Sequence, residues 1–394
     1  MFLKAALRCL VIVGLAGLLA CGGGAERQAK YFERAQQFFD EGNFDKARIE
    51  VKNVLQINPK HAQGRYLLAL LEEREQNWKG MYGNLNAAVE EDPKLVPARL
   101  KLGQLQLLNS MFDQAMEQAD AVLALEPDNA DARVLRASVW LRQGDTEKAV
   151  QEAELVLGVD AGHIGAIAVM TGVYQESAPD KALAYIEQGI QQHPDDVNLK
   201  LLQIHILQAQ GRNDQVVAVY RELIEQNPDN VALRYRLVEF HRQQGQLDQA
   251  EAVARELVAT KPDDVQAKLF LVQFLANSKG PKAAQQELEG YIAAQPQDVP
   301  LRFALAQLLL AQKELQPAQQ AYRDIIALDD KGADAVKARN GLIAIALAQN
   351  EREPAEQLLA EVFELDAENG AALITRAKLH LMDKQVDEAI SDLR

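Results

Sequence analysis

Side chains able to act as nucleophiles, general bases or metal ligands are few in this chain and stand far apart. It has two cysteines and six histidines among 394 residues. Cys9 and Cys21 both lie near the start, so no Cys-x-x-Cys ligand pair exists. His61, His163, His193, His205, His241 and His380 are widely separated, and no His-Glu-x-x-His pair, Gly-x-Ser-x-Gly elbow or Walker loop accompanies them. His61 and His193 fall in turns, where a capping or solvated role is expected. Adjacent acids such as Glu90-Glu91 and Asp195-Asp196 read as charges placed at helix starts rather than as an acid and base couple. The expectation is a chain that is not an enzyme and that holds no cofactor or metal.

The elements that carry these side chains are set by a repeat. Prolines at 59, 93, 127, 194, 228, 262 and 296 are spaced by 34, 34, 67, 34, 34 and 34 residues, the long step being two units with one residue lost. Twelve residues before each proline lies a column reading Ala47, Met81, Ala115, Ala149, Ala182, Val216, Ala250, Ala284, Ala318, Ala355 and Ala389. Twelve earlier lies a second small column, clearest at Ala35, Ala69, Gly103, Ala137, Ala306 and Ala377, with Ile204, Val238 and Val272 as departures. Two small columns per period imply two helices whose axes approach closely. Gly42, Gly144, Gly211 and Gly245 share one slot, which suits the left-handed residue that closes a first helix. Each unit is helix, turn, helix, and buries its apolar face only by stacking on its neighbours.

This pattern resembles the tetratricopeptide repeat, with small residues at the eighth and twentieth positions and proline at the thirty-second of 34. The resemblance runs from about residue 29 to Arg394 in about eleven units, the fifth shortened by one residue around 177–180 and the tenth lengthened by three within 329–337. It implies an all-α, right-handed superhelical solenoid whose first helices line a concave inner face. Counted from each proline, the fifth, ninth and twelfth positions of those helices are then expected to face a partner protein. The fifth gives Tyr66, Tyr235 and Phe303; the ninth gives Leu70, Gln104, Ser138, His205, Glu239, Gln273 and Gln307; the twelfth gives Glu73 and Arg242. Apolar and amide positions alternate along that face, offering shallow pockets and backbone hydrogen bonds. Lys101 and Lys200 stand isolated, so the lysine and asparagine clamp some relatives use on a C-terminal carboxylate is not expected. Trp140 reads as core, and Trp78, beside Met81 and Tyr82, as packing around the loosened Met81 and Gly83 positions, with an outer-face contact site as the alternative.

The first residues carry a different signal. Lys4 and Arg8 precede an apolar run from Leu10 to Leu19, too short to span a bilayer comfortably, which reads as an export signal. Leu18-Leu19-Ala20-Cys21 resembles the bacterial lipoprotein cleavage box. The resemblance implies removal of residues 1–20, lipidation of Cys21, and a lipidated, glycine-rich tether over 21–28. Several acyl chains at about 0.8 kcal/mol per buried methylene would anchor the protein without a spanning helix. Gly22 stands where aspartate tends to retain lipoproteins in the inner membrane, so the periplasmic face of the outer membrane is expected. The net charge of −15 argues against nucleic acid or anionic lipid as the main partner, and is expected to serve solubility.

The last unit stops halfway through its second helix, leaving Ile390 and Leu393 without a capping neighbour, and a truncated final repeat is expected. The layout resembles the tetratricopeptide lipoproteins associated with exopolysaccharide secretion and the linked protein-sorting systems. The function it implies is a membrane-anchored periplasmic scaffold for protein partners in envelope assembly or export. Two alternatives stay open: a periplasmic holdase for outer-membrane proteins, and the non-catalytic part of a larger enzyme. Oligomeric state is not indicated.

Overall fold

The computed structural model describes residues 23–394, and every regular element among them is helical. Residues 1–22, including the expected signal and Cys21, lie outside the described residues. The chain forms two compact units, divided after Val219.

The first unit begins with α1 (23–40) and runs through α2 (Phe44–Ile57), α3 (Ala62–Arg74), α4 (Trp78–Glu91), α5 (Val96–Leu108) and α6 (Phe112–Leu125). It continues with α7 (Ala130–Gln143), α8 (Thr146–Leu157), α9 (Ile164–Tyr174), α10 (Pro179–Gln192) and α11 (Val197–Ala209), and the boundary falls within α12 (Asn213–Gln226). The second unit holds α13 (Val231–Gln243), α14 (Leu247–Thr260), α15 (Val265–Ser278), α16 (Pro281–Ala294), α17 (Val299–Ala311) and α18 (Leu315–Leu328). It closes with α19 (Ala333–Ala348), α20 (Arg352–Leu365), α21 (Gly370–Met382) and α22 (Val386–Asp392). Within each unit the helices pair and stack in chain order as a solenoid of helical hairpins.

The two small columns form the seam of every hairpin. The alanines from Ala47 to Ala389 in the first column are all buried, as are Met81 and Val216. At Gly103 in the second column a Cβ would stand 2.4 Å from the Leu135 side chain, so the next repeat's leucine fills the space that glycine leaves. Ile204, Val238 and Val272 are buried too, so the larger residues are absorbed without opening the seam.

Several local expectations are corrected. Residues 23–28, expected as tether, already belong to α1: Arg27 donates from Nε to the Gly23 carbonyl at 2.9 Å, and Lys30 pairs with Glu26 at 2.9 Å. The run after the glycines has good helix formers, and these side-chain bonds one turn apart extend the helix across them. The left-handed slot holds Gly42, Gly144, Gly211 and Gly245 as expected, and also Gln76, Ser110, Lys313, Asn350 and Lys384, all with φ of 57–64°. The added residues of the tenth repeat lengthen the start of α19. The lost residue of the fifth falls on a shortened α9 of 11 residues, followed by residues 175–178 and then α10, which starts at Pro179 without a side-chain cap.

A cation six residues after each repeat proline was not anticipated. Arg65, Arg99, Arg133, Arg234 and Arg302 donate back to the carbonyls of Pro59, Pro93, Pro127, Pro228 and Pro296 at 2.6–3.0 Å. Four of these arginines also reach the second helix of their own hairpin, at Asn84, Gln118, Glu152 and Asp324. Lys200 and Lys268 hold the same slot and are almost fully buried, so Lys200 is a structural residue and not an isolated surface cation. Each of the five arginines ties the turn carbonyl to the first helix, and most tie in the second helix as well.

Candidate functional site

The residues expected on the inner face are all half-buried or exposed. In the first unit Tyr66 rests on the cluster of Ala69, Met81, Leu85, Leu102 and Leu105, and burial pushes its hydroxyl above the ordinary range. Leu70 is half-buried beside it. Glu73 holds Lys101 of the next first helix at 2.8 Å, so Lys101 is partnered too. His205 is exposed on α11. These four do not come together in one cleft.

Gln104 and Ser138 do, in a cavity of about 490 Å³ floored by Leu107, Val134, Leu135 and Ile164. Ser138 spends its hydroxyl proton on the Val134 carbonyl at 2.8 Å. The same cleft gathers Asp131, Asp160, His163 and His193, which the sequence spacing gave no reason to associate. His163 caps α9, its Nδ1 accepting from the Ala166 backbone N–H at 3.3 Å, so its proton sits on Nε2, 3.7 Å from Asp131. His61 plays the same part for α3, accepting from Gly64 at 2.8 Å. Burial holds its pKa below the ordinary value, which keeps that acceptor neutral. Room for the cleft comes from Gly162 and Gly165; a Cβ at Gly165 would lie 2.9 Å from Val134.

The second unit brings Tyr235, Glu239, Arg242 and Gln273 around a cavity of about 370 Å³ between α13 and α15. Val238, Phe270, Phe274 and Leu247 supply its apolar wall, and Tyr235 packs on Phe270 with ring centroids 4.4 Å apart. The Arg242 guanidinium forks onto Glu239 with two 2.7 Å bonds and Gln243 adds a third at 2.8 Å, holding the Glu239 carboxyl down to about 2. Gln273 donates to Asn277 at 3.2 Å. Phe303 and Gln307 line a further cavity of about 560 Å³ with Leu269, Val299 and Tyr322. Phe303 meets Tyr322 edge-on at 6.2 Å, and Lys337 pairs with Asp334 at 3.0 Å on the rim.

Counting from the prolines found part of each wall. Phe270, Phe274 and Asn277 lie one position further along the helix than the expected stripe, and Tyr322 belongs to a second helix. A period-34 scan for aromatic residues next to the stripe would have shown the first two. No nucleophile in these clefts is paired with a base. Among the described residues no cluster of three or more histidine, cysteine, aspartate or glutamate side chains is placed to hold a metal, and no helix is long and apolar enough to cross a membrane. The chemistry on offer is recognition through apolar walls and amide hydrogen bonds.

Two tetratricopeptide repeat family models match this chain, over residues 100–162 and 207–274, so those two stretches carry tetratricopeptide repeats. Among curated proteins it is similar to a DnaJ homolog subfamily C member 7 homolog of Schizosaccharomyces pombe, 23% identical over 185 residues, 42% of this chain and 39% of the relative. It is also similar to human tetratricopeptide repeat protein 21B, 32% identical over 83 residues, 21% of this chain and 6% of the relative. The chain thus spans well under half the length of either relative. Among solved structures, a tetratricopeptide repeat protein from Parabacteroides merdae aligns with a TM-score of 0.47 at 14% identity, covering 64% of this chain and 99% of that one. PilF of Pseudomonas aeruginosa aligns with a TM-score of 0.42 at 17% identity, covering 55% and 99%.

Proposed function

We propose that the chain is a protein-interaction scaffold held on a membrane surface of the bacterial envelope by a lipid on Cys21. There it gathers partner proteins during envelope assembly or export, including export of the exopolysaccharide kind suggested by the lipoprotein resemblance. The observation that carries the binding half is the set of clefts along the first helices. All three have apolar walls and polar rims, and in the two clefts of the second unit the walls are also aromatic and the rims carry amides and self-paired charges. Tetratricopeptide repeats are generally scaffolds that bind protein partners, which agrees with this reading. The anchoring half rests on the Leu18-Leu19-Ala20-Cys21 sequence.

The test is crosslinking and affinity purification from membranes, with wild type beside Cys21→Ser. A few stoichiometric envelope proteins, recovered with wild type and diminished with Cys21→Ser, are expected. Recovery of many outer-membrane precursors, equal in both, would replace the scaffold with a holdase. A Cys21→Ser protein that stays in the membrane fraction would refute the lipid anchor.

A further inference from the structure

We propose that the inner face of the second unit reads two large apolar side chains of one extended segment of a partner protein, the first beneath Tyr235 and Phe270 and the second beneath Phe303 and Tyr322. This rests on the scaffold reading and adds the chemistry of what is bound.

Both clefts are walled by rings and aliphatic side chains, and each rim holds one acid and one base that satisfy each other: Glu239 with Arg242 in the first, Asp334 with Lys337 in the second. Each lining is therefore neutral, in a chain of net charge −15. A charged side chain entering either cleft gives up hydration and finds its natural counter-ion already engaged, whereas an apolar one gains from burial in proportion to its area. The first unit's cleft lacks this property, since Asp131 and Asp160 line it with no lysine or arginine.

One helix couples the two clefts. α15 presents Phe270, Phe274 and Gln273 to the first and Leu269 to the second, so the clefts are neighbours along one face. The first cleft lies between α13 and α15 and the second spans α15, α17 and α19, one to two helix spacings further on; with about 10 Å per spacing and about 3.3 Å per residue of extended chain, the two anchors stand about three to six residues apart. The exposed amides of Gln273 and Gln307 stand beside that path, one at each cleft, placed to hydrogen-bond the backbone between the anchors.

The test uses the full chain and fluorescently labelled, acetylated and amidated glycine-serine peptides that carry two leucines or two phenylalanines at increasing separations. Single-anchor peptides, and peptides with lysine or glutamate at one anchor, are the controls. Two-anchor peptides within the stated spacing are expected to bind about tenfold more tightly than single-anchor ones. Tyr235→Ser and Phe303→Ser should each reduce them to the single-anchor level. Asn277→Asp and Gln307→Glu, at exposed positions that leave the core intact, should do the same by placing an unpaired charge in each cleft. Equal binding of one- and two-anchor peptides, indifference to their separation, or preference for the charged controls would overturn the proposal. If no peptide binds while the same stoichiometric envelope partner is still recovered from membranes, the two-anchor reading fails and the scaffold reading stands. If two-anchor peptides bind and no partner is recovered, the reverse holds.

Discussion

At the residue scale several hairpins share a small polar device, and in the third repeat its buried half stands without a partner. Near the end of several first helices a polar side chain bonds to the residue that caps the second helix, five positions on. Asn77 donates to Glu72, His241 donates to Gln246 at 2.7 Å, and His380 donates to Gln385 at 2.7 Å. In the third repeat the pair is Gln106 and Met111. Methionine cannot answer, so Gln106 is buried with its amide oxygen unbonded, and α6 starts without a side-chain cap. Met111→Asn should supply both missing bonds in the way Asn77 does, accepting from the start of α6 and donating to Gln106. A gain of about 1–2 kcal/mol is expected from a restored cap and a satisfied buried acceptor, measurable by urea denaturation. An unchanged or lower midpoint would show that the oxygen is already hydrated. The cations six residues past each proline were equally legible at this scale. Arg65, Arg99, Arg133, Lys200, Arg234, Lys268 and Arg302 keep step with the prolines, but a lysine or arginine outside a small-residue column reads as surface until its carbonyl partner is seen.

At the scale of the element, the turn between the two helices of a hairpin imposes its geometry whether or not glycine is present. The sequence revealed the slot through four glycines; Gln76, Ser110, Lys313, Asn350 and Lys384 take the same left-handed backbone because the small columns on either side dictate how the helices meet. For most L-residues that conformation costs about 1–2 kcal/mol, partly offset by the extra unfolded-state freedom of glycine. Lys313→Gly is therefore expected to stabilise the protein by about 0.5–1 kcal/mol, and Asn350→Gly by less, since asparagine tolerates this region. Equal gains from the two, in matched denaturation curves, would mean that the turn and not the residue type sets the cost. Helix period and register were readable because they depend on columns that recur. The entry into α19 and the early start of α1 were not, because each is decided by a local balance of caps and i,i+4 bonds that occurs once.

For the molecule as a whole, stability is a sum over repeats, each leaning only on its neighbours. The inner face inherits that property, so a change in one hairpin should alter the cleft beside it and spare the next. Gly341 on α19 offers a direct trial. A Cβ there would fall 2.5 Å from the Tyr322 ring, which is buried among Ala306, Leu309, Ala318, Ile325, Ala338 and Leu342. Gly341→Ala must push that ring aside, and overpacking of this kind costs about 1–3 kcal/mol. Because Tyr322 also walls the cleft of Phe303, the displaced ring should weaken binding of a two-anchor peptide while leaving capture of its first anchor, beneath Tyr235 and Phe270, unchanged. Amide exchange should quicken in α17 to α20, with α13 and α14 keeping wild-type protection. If α13 and α14 lose protection to the same degree, the second unit unfolds as one cooperative body, and the separate tuning of its clefts by neighbouring repeats is wrong.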